Sequence, residues 1–404
     1  MPPPKRIAGI SPLAQIKAID ESPEVIALVQ KYLPPNYDFE IGKTVWRIRK
    51  TPHCKTVALQ FPEGLLIFST RIGDVLREIT GVDVILMGDI TYGACCVDDF
   101  TASMLGANLL VHYGHSCLVP TSVANKIETI YVFVTINFNI PAAVSSIGTL
   151  IESKLEEKSK KKGSIEVEGT TSKYPVSLVS TIQFANSLHP IKEKLEEKHN
   201  VAITIPRSKP LSSGEILGCT APTVQDQLII YVGDGRFHLE AMMMANPNTP
   251  AYRYDPYNTT LTNEEFNHNE LNIKRGKAVC EIRSSENSRI GVVLGTLGRQ
   301  GNPIPMEGVL EKLTSKGYNA FVVLMSEVMP AKLELFNNVS GWVQFCCPRL
   351  SIDWGDAFKV PVLTPYEAVH CCDDIKTYTG HPMDYYAYES GGNHTPNHKP
   401  CNKK

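Results

Sequence analysis

Residues 56–89 read TVALQFPEGLLIFSTRIGDVLREITGVDVILMGD. A β-branched, apolar run (Thr56–Phe61) ends in the loop Pro62-Glu63-Gly64. Leu65–Ile79 then reads as a helix, and Val82–Met87 is a second apolar run. Short continuous apolar strands joined by helices are covered on both faces, which is the grammar of a parallel sheet. The same grammar returns twice. Val176–Ser180 leads through Thr181–Phe184 to a helix over Ile191–Lys198 and a strand over Val201–Ile205. Ile290–Leu294 leads through Gly295-Thr-Leu-Gly298 to a helix over Met306–Lys316 and a strand over Ala320–Leu324. The predicted class is α/β, with three small parallel sheets flanked by helices.

These blocks set the expected organisation of the 404 residues. Residues 1–50 read as a leader, with a helix started by Ser22-Pro23 and a solvated face at Arg47, Arg49 and Lys50. The first α/β domain is 51–150, the second 174–285 and the third 286–384. Between the first two lies a charged linker, 151–173, whose opening IESKLEEKSKKKG is either a solvated helix or a flexible insertion. Residues 385–404, rich in Gly, Asn, His and Pro, read as a disordered tail. His394, His398 and Cys401 there are at most loose metal ligands.

Bulk properties narrow the class. The net charge of −2 gives no general attraction to nucleic acid or an anionic membrane. The most apolar window, Ile127–Val144, is interrupted by Thr135, Asn137, Asn139 and Pro141 and is too short and polar to span a bilayer. The opening MPPPKRIAGI lacks the apolar stretch of a secretory signal, so the expected compartment is the cytosol. There the eleven cysteines are buried small hydrophobes, metal ligands or reactive thiols rather than a disulfide framework.

Three cysteines recur with the blocks at a near-constant interval. Cys95 follows Gly88–Ala94 after the second strand of block one, Cys219 ends Ser213–Gly218 in block two, and Cys346-Cys347 follows a third strand, Trp342–Phe345, in block three. Ligands bind beyond the carboxyl ends of strands in open parallel sheets. Three loop thiolates with an open position suit either a catalytic zinc or an incompletely ligated iron–sulfur cluster. There is no CxxC pair of the kind that usually feeds zinc sites.

At these residues the chain resembles the diphthamide synthesis family, through DITYGACCVDDFTA (89–102), LVHYGHSCL (110–118), LGCTAP (217–222), GTLGRQGNP (295–303) and CPRLSIDWG (347–355). The vicinal Cys95-Cys96 and FEIGKTVWRIRK (39–50) look like the first-subunit type of the eukaryotic heterodimer. The resemblance implies three homologous domains around a central [4Fe–4S] cluster, each giving one cysteine. Carried over, the ligands are Cys95, which completes YGAC, Cys219, and Cys347, which precedes Pro-Arg. It also implies S-adenosylmethionine as co-substrate. Its 3-amino-3-carboxypropyl group passes by radical chemistry to imidazole C2 of a histidine in elongation factor 2. The implied partners are a homologous second subunit, elongation factor 2 itself, and a small iron protein with a reductase as electron donors. An alternative is a cluster-bearing subunit that only supports or relays electrons to its partner; a tri-domain zinc hydrolase lacks the expected ligand spacing.

The remaining candidates have weaker signals. Gly295, Gly298 and Gly301 form a GxxGxxG loop that either admits an anion to the backbone or simply turns the chain. Gly298, Arg299, Gln300, Arg349 and Asp353 are the expected adenosylmethionine contacts; Arg349 and Asp353 pairing with each other is the alternative. His112 and His115 are spaced as HxxH near Cys117, a metal pair or satisfied strand-end histidines. Gly233-Asp234-Gly235 is the corresponding loop in block two, and Tyr252, Tyr254 and Tyr257 read as packing.

Overall fold

The computed structural model describes residues 11–89, 91–119, 126–161, 173–284, 288–373, 378 and 380–399. Its strands are β1 (Tyr37–Asp38), β2 (Thr56–Gln60), β3 (Asp83–Met87), β4 (Leu109–Tyr113), β5 (Glu128–Val132), β6 (Thr135–Ile136), β7 (Tyr174–Ser180), β8 (Val201–Thr204), β9 (Leu228–Val232), β10 (Ala251–Asp255), β11 (Thr260–Glu264), β12 (Arg289–Gly295), β13 (Asn319–Met325), β14 (Gly341–Phe345) and β15 (Val362–Leu363). The chain divides into two compact units, Met1–Asn137 and Phe138–Lys404.

The first unit is built on the parallel sheet β3-β2-β4-β5. Successive residues of β2 point to opposite faces. Val57 and Leu59 face a core with Ile72, Val75 and Leu76 of helix Ser69–Thr80, while Ala58 faces a second core with Met87, Val97 and Ala102. The residues expected as a leader belong to the first of these cores. Helices Pro23–Tyr32 and Ile41–Lys50 bring in Val25, Leu28, Val45 and Ile48, and helix Pro12–Asp20 packs Ile19 against them. Of the basic cluster, Arg49 and Lys50 are exposed, whereas Arg47 is paired with Glu128. β1 and β6 add a two-residue antiparallel ribbon.

The second unit holds two sheets, β11-β10-β9-β7-β8 and β13-β12-β14-β15. Each repeats the order of the first sheet, with the block's opening strand between its second and third. The middle sheet adds one antiparallel edge strand, β11, paired with β10. The order reverses between β2 and β4, β7 and β9, and β12 and β14, and crevices for ligands open at such switch points. The charged run lies in helix Ile140–Lys161, the solvated-helix alternative, while 162–172 lie outside the described residues. The tail departs from expectation. Tyr385, Tyr386 and Ala387 are buried, with the two tyrosine rings 5.0 Å apart edge to face, and only 400–404 of that tail lie outside the described residues. Composition understated it because a few aromatics suffice to anchor a Gly- and Pro-rich segment.

A buried ion pair ties the second unit together. Arg275, on helix His268–Arg283, donates to both carboxylate oxygens of Glu367 (2.8 and 2.6 Å) and to the carbonyls of Ser351 and Val362 (both 2.8 Å). Glu367 also closes a capping box with Thr364 at the start of helix Pro365–Cys372. Burial lifts the Glu367 carboxyl, but the guanidinium and the Thr364 N–H more than offset it and leave it below its ordinary 4.5. A depressed carboxyl stabilises the fold above its unfolded pKa, and the contribution is lost as pH falls through the folded value. Glu367→Gln should cost about 3–5 kcal/mol near neutrality by urea melts. It should also flatten the loss of stability on acidification below about pH 4.5. An unchanged acid profile would remove Glu367 as its source.

Candidate functional site

In the first unit β3 runs into a single 3-10 turn, Ala94–Cys96, closed by the Cys96 N–H on the Gly93 carbonyl at 2.9 Å. The turn splits its two cysteines. Cys96 is 1 % exposed, whereas Cys95 is only half-buried. Their sulfurs are 4.0 Å apart, and the Cys95 contact draws the Cys96 thiol down to about 7 against the effect of burial.

The turn is pinned from the sheet. Gln60, last in β2 and buried, donates its amide to the Cys96 carbonyl (2.9 Å) and accepts from the Asp98 N–H (3.2 Å). Its oxygen also faces His112 Nδ1 at 2.8 Å, which puts the ring proton on Nδ1. His112 is fully buried 5.3 Å from the His115 ring, and burial, then that neighbour, holds it neutral, well below its ordinary value. The strand-end alternative therefore has a physical account at His112 Nδ1, while Nε2 of His112 is buried without a hydrogen bond among the described residues. Cys117 is exposed.

In the second unit the Cys346-Cys347 pair is split in the same way. Cys346 is buried among Val293, Trp342 and Val362, and burial, with Cys347 nearby, pushes its thiol up to about 12. Cys347 is half-buried and immediately precedes helix Pro348–Trp354, without a capping bond from its side chain. Gln344, fully buried in β14, repeats the part of Gln60. Its amide donates to the Cys347 carbonyl (2.9 Å) and to Ser351 Oγ (3.0 Å), and its oxygen accepts from the Cys346 N–H (2.8 Å).

Cys219 lies midway along the loop between β8 and β9, half-buried. Its thiol is pushed up to about 12, first by burial and then by the Cys347 thiol. Arg349 fastens these two loops together. Its Nε donates to Asp353 (2.8 Å), one terminal nitrogen to the carbonyls of Gly218 (3.2 Å) and Phe237 (2.7 Å), and the other to Glu240 (2.6 Å). The guanidinium carbon lies 4.3 Å from the centre of the Phe237 ring. A Cβ at residue 218 would sit 2.0 Å from that ring, so a side chain there would have to push Phe237 aside. Burial raises the Asp353 carboxyl against the pull of Arg349. The pairing alternative is therefore the observed geometry. Every guanidinium nitrogen has a protein acceptor, so Arg349 and Asp353 act here as a brace rather than as free contacts for a carboxylate.

The glycine loop follows β12. Gly298 takes a left-handed φ of +54°, and a Cβ at Gly301 would meet the Gly295 carbonyl at 2.1 Å. Both glycines are required by the turn itself. Gln300 is buried, with its N–H on the Leu297 carbonyl (3.1 Å), and Arg299 is partly exposed. Gly295 packs on Cys346, so the loop lies alongside the cysteine pair. Two of the three tyrosines pack on phenylalanines: Tyr254 lies tilted against Phe138 and Tyr257 edge-on to Phe184. Gln60, Gln344, Phe237 and Glu240 were not anticipated. The glutamines had a signal, an amide inside otherwise apolar runs, because a buried amide must find partners. Phe237 and Glu240 had none. Among the described residues no group of three or more His, Cys, Asp or Glu is arranged to hold a single metal ion, and no helix is long and apolar enough to cross a membrane.

Residues 61–381 match the family model for diphthamide synthesis proteins. The chain is 46% identical over 387 residues to 2-(3-amino-3-carboxypropyl)histidine synthase subunit 1 of Nematostella vectensis, covering 95% of this chain and 78% of that one. It is 45% identical over 381 residues to the subunit 1 of Homo sapiens, covering 94% and 81%. The fold matches a crystal structure of Dph2 from Pyrococcus horikoshii with a 4Fe-4S cluster at a TM-score of 0.67 and 23% identity, over 86% of this chain and 94% of that one. The chain belongs to the diphthamide synthesis family, alongside relatives named 2-(3-amino-3-carboxypropyl)histidine synthase subunit 1.

Proposed function

We propose that this chain is a subunit of an enzyme that carries out the first step of diphthamide synthesis. It moves the 3-amino-3-carboxypropyl group of S-adenosylmethionine to imidazole C2 of a histidine in elongation factor 2. It does so with a [4Fe–4S] cluster held by Cys95, Cys219 and Cys347, one from each of three α/β domains. The observation that carries the reading is the division of labour within the cysteine pairs. Cys96 and Cys346 are packed away, while Cys95 and Cys347 stay half-exposed at the carboxyl ends of their sheets, and Arg349 ties the Cys219 loop to the helix that follows Cys347.

The donor set fits such a cluster. Thiolates are soft ligands, and ionising Cys219, unfavourable first for its burial and then for Cys347 nearby, is offset by a bound cation. When bound, the cluster supplies an iron with an open position and one electron for cleaving the sulfonium bond to the methionine γ-carbon, with methylthioadenosine leaving. Gly298, Arg299 and Gln300, beside the cysteine pair, are the chain's candidates for holding the adenosylmethionine, while Arg349 and Asp353 brace the ligand loops. The working assembly is a cytoplasmic heterodimer with a homologous second subunit, supplied with electrons by a small iron protein and its reductase.

Purified anaerobically with its partner, the chain should release methylthioadenosine on reduction and label elongation factor 2. Iron bound without methylthioadenosine release from any mixture of subunits would leave only a supporting or electron-relay role. Single Cys→Ala changes at 95, 219 or 347 should abolish the visible iron–sulfur absorption and turnover. Cys96→Ala and Cys346→Ala should keep the iron. The opposite ranking would shift the ligand register by one.

Arg349→Met should cost roughly 3–5 kcal/mol, because it strands carboxylates and buried carbonyls. Denaturant melts of the metal-free chain test this. Unchanged stability together with weakened adenosylmethionine binding would return Arg349 to the cofactor.

A further inference from the structure

The Cys95 and Cys347 turns are each pinned by a glutamine of their own sheet, but the middle sheet offers none: β7 reads YPVSLVS and β9 reads LIIYV. The loop between β8 and β9 is long, and a segment without regular structure needs fixed points to hold one residue in place. Part of it is tied to β7, through the Ser180 N–H on the Gly214 carbonyl (2.8 Å) and the Ile216 N–H on the Ser180 carbonyl (3.0 Å). Past residue 217 Arg349 holds the Gly218 carbonyl and Asn246 holds Pro222 and Val224, while the backbone of Cys219, Thr220 and Ala221 is met by the segment 381–399.

Residues 383–386 lie antiparallel to 219–221, with Thr220 bridged to Asp384. The Ala221 N–H donates to the Met383 carbonyl (2.8 Å), the Tyr385 N–H to the Cys219 carbonyl (3.2 Å), and the Tyr386 N–H to Thr220 Oγ1 (3.0 Å). Thr220 is fully buried, and its hydroxyl lies 3.8 Å from Cys219 Sγ. The segment is itself anchored on both sides of this contact. His381 faces Thr364 Oγ1 at 2.9 Å, and the Tyr388 N–H donates to the Lys209 carbonyl at 2.8 Å. It is also closed on itself, by the Gly391 N–H on Asp384 Oδ2 (2.7 Å) and by contacts joining Ser390, Thr395 and His398.

We propose that the segment 381–399 is a strap that positions Cys219 as a metal ligand, with Thr220 as its principal side-chain contact and Asp384 as the residue that keeps the strap closed. The proposal rests on Cys219 being a ligand. Its residues touch neither substrate nor the reacting atoms; they act by fixing the direction of one thiol. Gln60 and Gln344 achieve this with a side-chain amide, and the strap achieves it with backbone N–H groups brought from elsewhere in the chain.

The test uses the full-length chain, reconstituted anaerobically with iron and sulfide, with the rate of iron loss to a chelator as the readout. Thr220→Val keeps the shape and removes the hydroxyl, and Thr220→Ser restores it. One lost buried hydrogen bond corresponds to up to about tenfold, so Thr220→Val and Asp384→Ala should each release iron up to about tenfold faster, with Thr220→Ser near the parent rate. In the metal-free chain both weakened variants should also show faster amide exchange at 383–386, with melting of the two sheets little changed. If Cys219→Ala loses its iron but Thr220→Val and Asp384→Ala release theirs at the parent rate, the strap has no positioning role. If Cys219→Ala keeps its iron, the ligand assignment fails, and the strap proposal falls with it.

Discussion

A buried guanidinium must have its donors met, and at Arg349 that requirement fixes a large part of the second unit. Its partners are the Gly218 and Phe237 carbonyls, Glu240 and Asp353. They come from the Cys219 loop, from helix Phe237–Ala245 and from the helix that follows Cys347, so a shift in one element strands an acceptor in another. The Phe237 ring adds a steric limit, since a side chain at residue 218 would have to displace it. Arg275 does something similar one layer away, since it holds the Ser351 carbonyl of the same short helix that Gln344 reaches through the Ser351 hydroxyl. Two cations and one amide thus hold seven residues that would be marginal as a free helix.

The use of glutamine at two sheet ends has a chemical reason. A turn beside a thiol presents both an N–H and a C=O to be satisfied, and a primary amide offers the complementary pair without adding charge. Gln60 answers the Asp98 N–H and the Cys96 carbonyl; Gln344 answers the Cys346 N–H and the Cys347 carbonyl. A carboxylate could not donate to the carbonyl, and a lysine could not accept from the amide.

Much of this fold could be read from the residues in order. The six opening strands of the blocks lie within two residues of where their apolar runs place them, because buried parallel strands leave an uninterrupted signature. The helix started by Ser22-Pro23 is present, with Ser22 accepting from the Val25 N–H. What could not be read depends on residues far apart in sequence. Arg349 looks like a carboxylate receptor until its acceptors at 218, 237 and 240 are seen. The leader looks peripheral until Val45 and Ile48 meet β2 and β4. Residues 385–399 have a disordered composition, and their order comes from tertiary pairing with residues 209, 219 and 220, for which local composition carries no mark. The glutamines are a different case: both stood in plain view inside apolar runs, and an amide there is an unanswered question about its partners.

The pairing of 383–386 with 219–221 also bears on when this chain is finished. Synthesis proceeds from the amino end, and domains form as they emerge. The turn bearing Cys95 and its glutamine are complete once the first sheet has been made. The Cys219 loop is in a different position, since its partners at 383–386 are translated more than a hundred and fifty residues after it, by which time Cys347 has been made as well. A nascent chain therefore carries this thiol without its strap while the residues between the two are made. The stretch that orders it arrives only after every other cysteine of the described residues is in place.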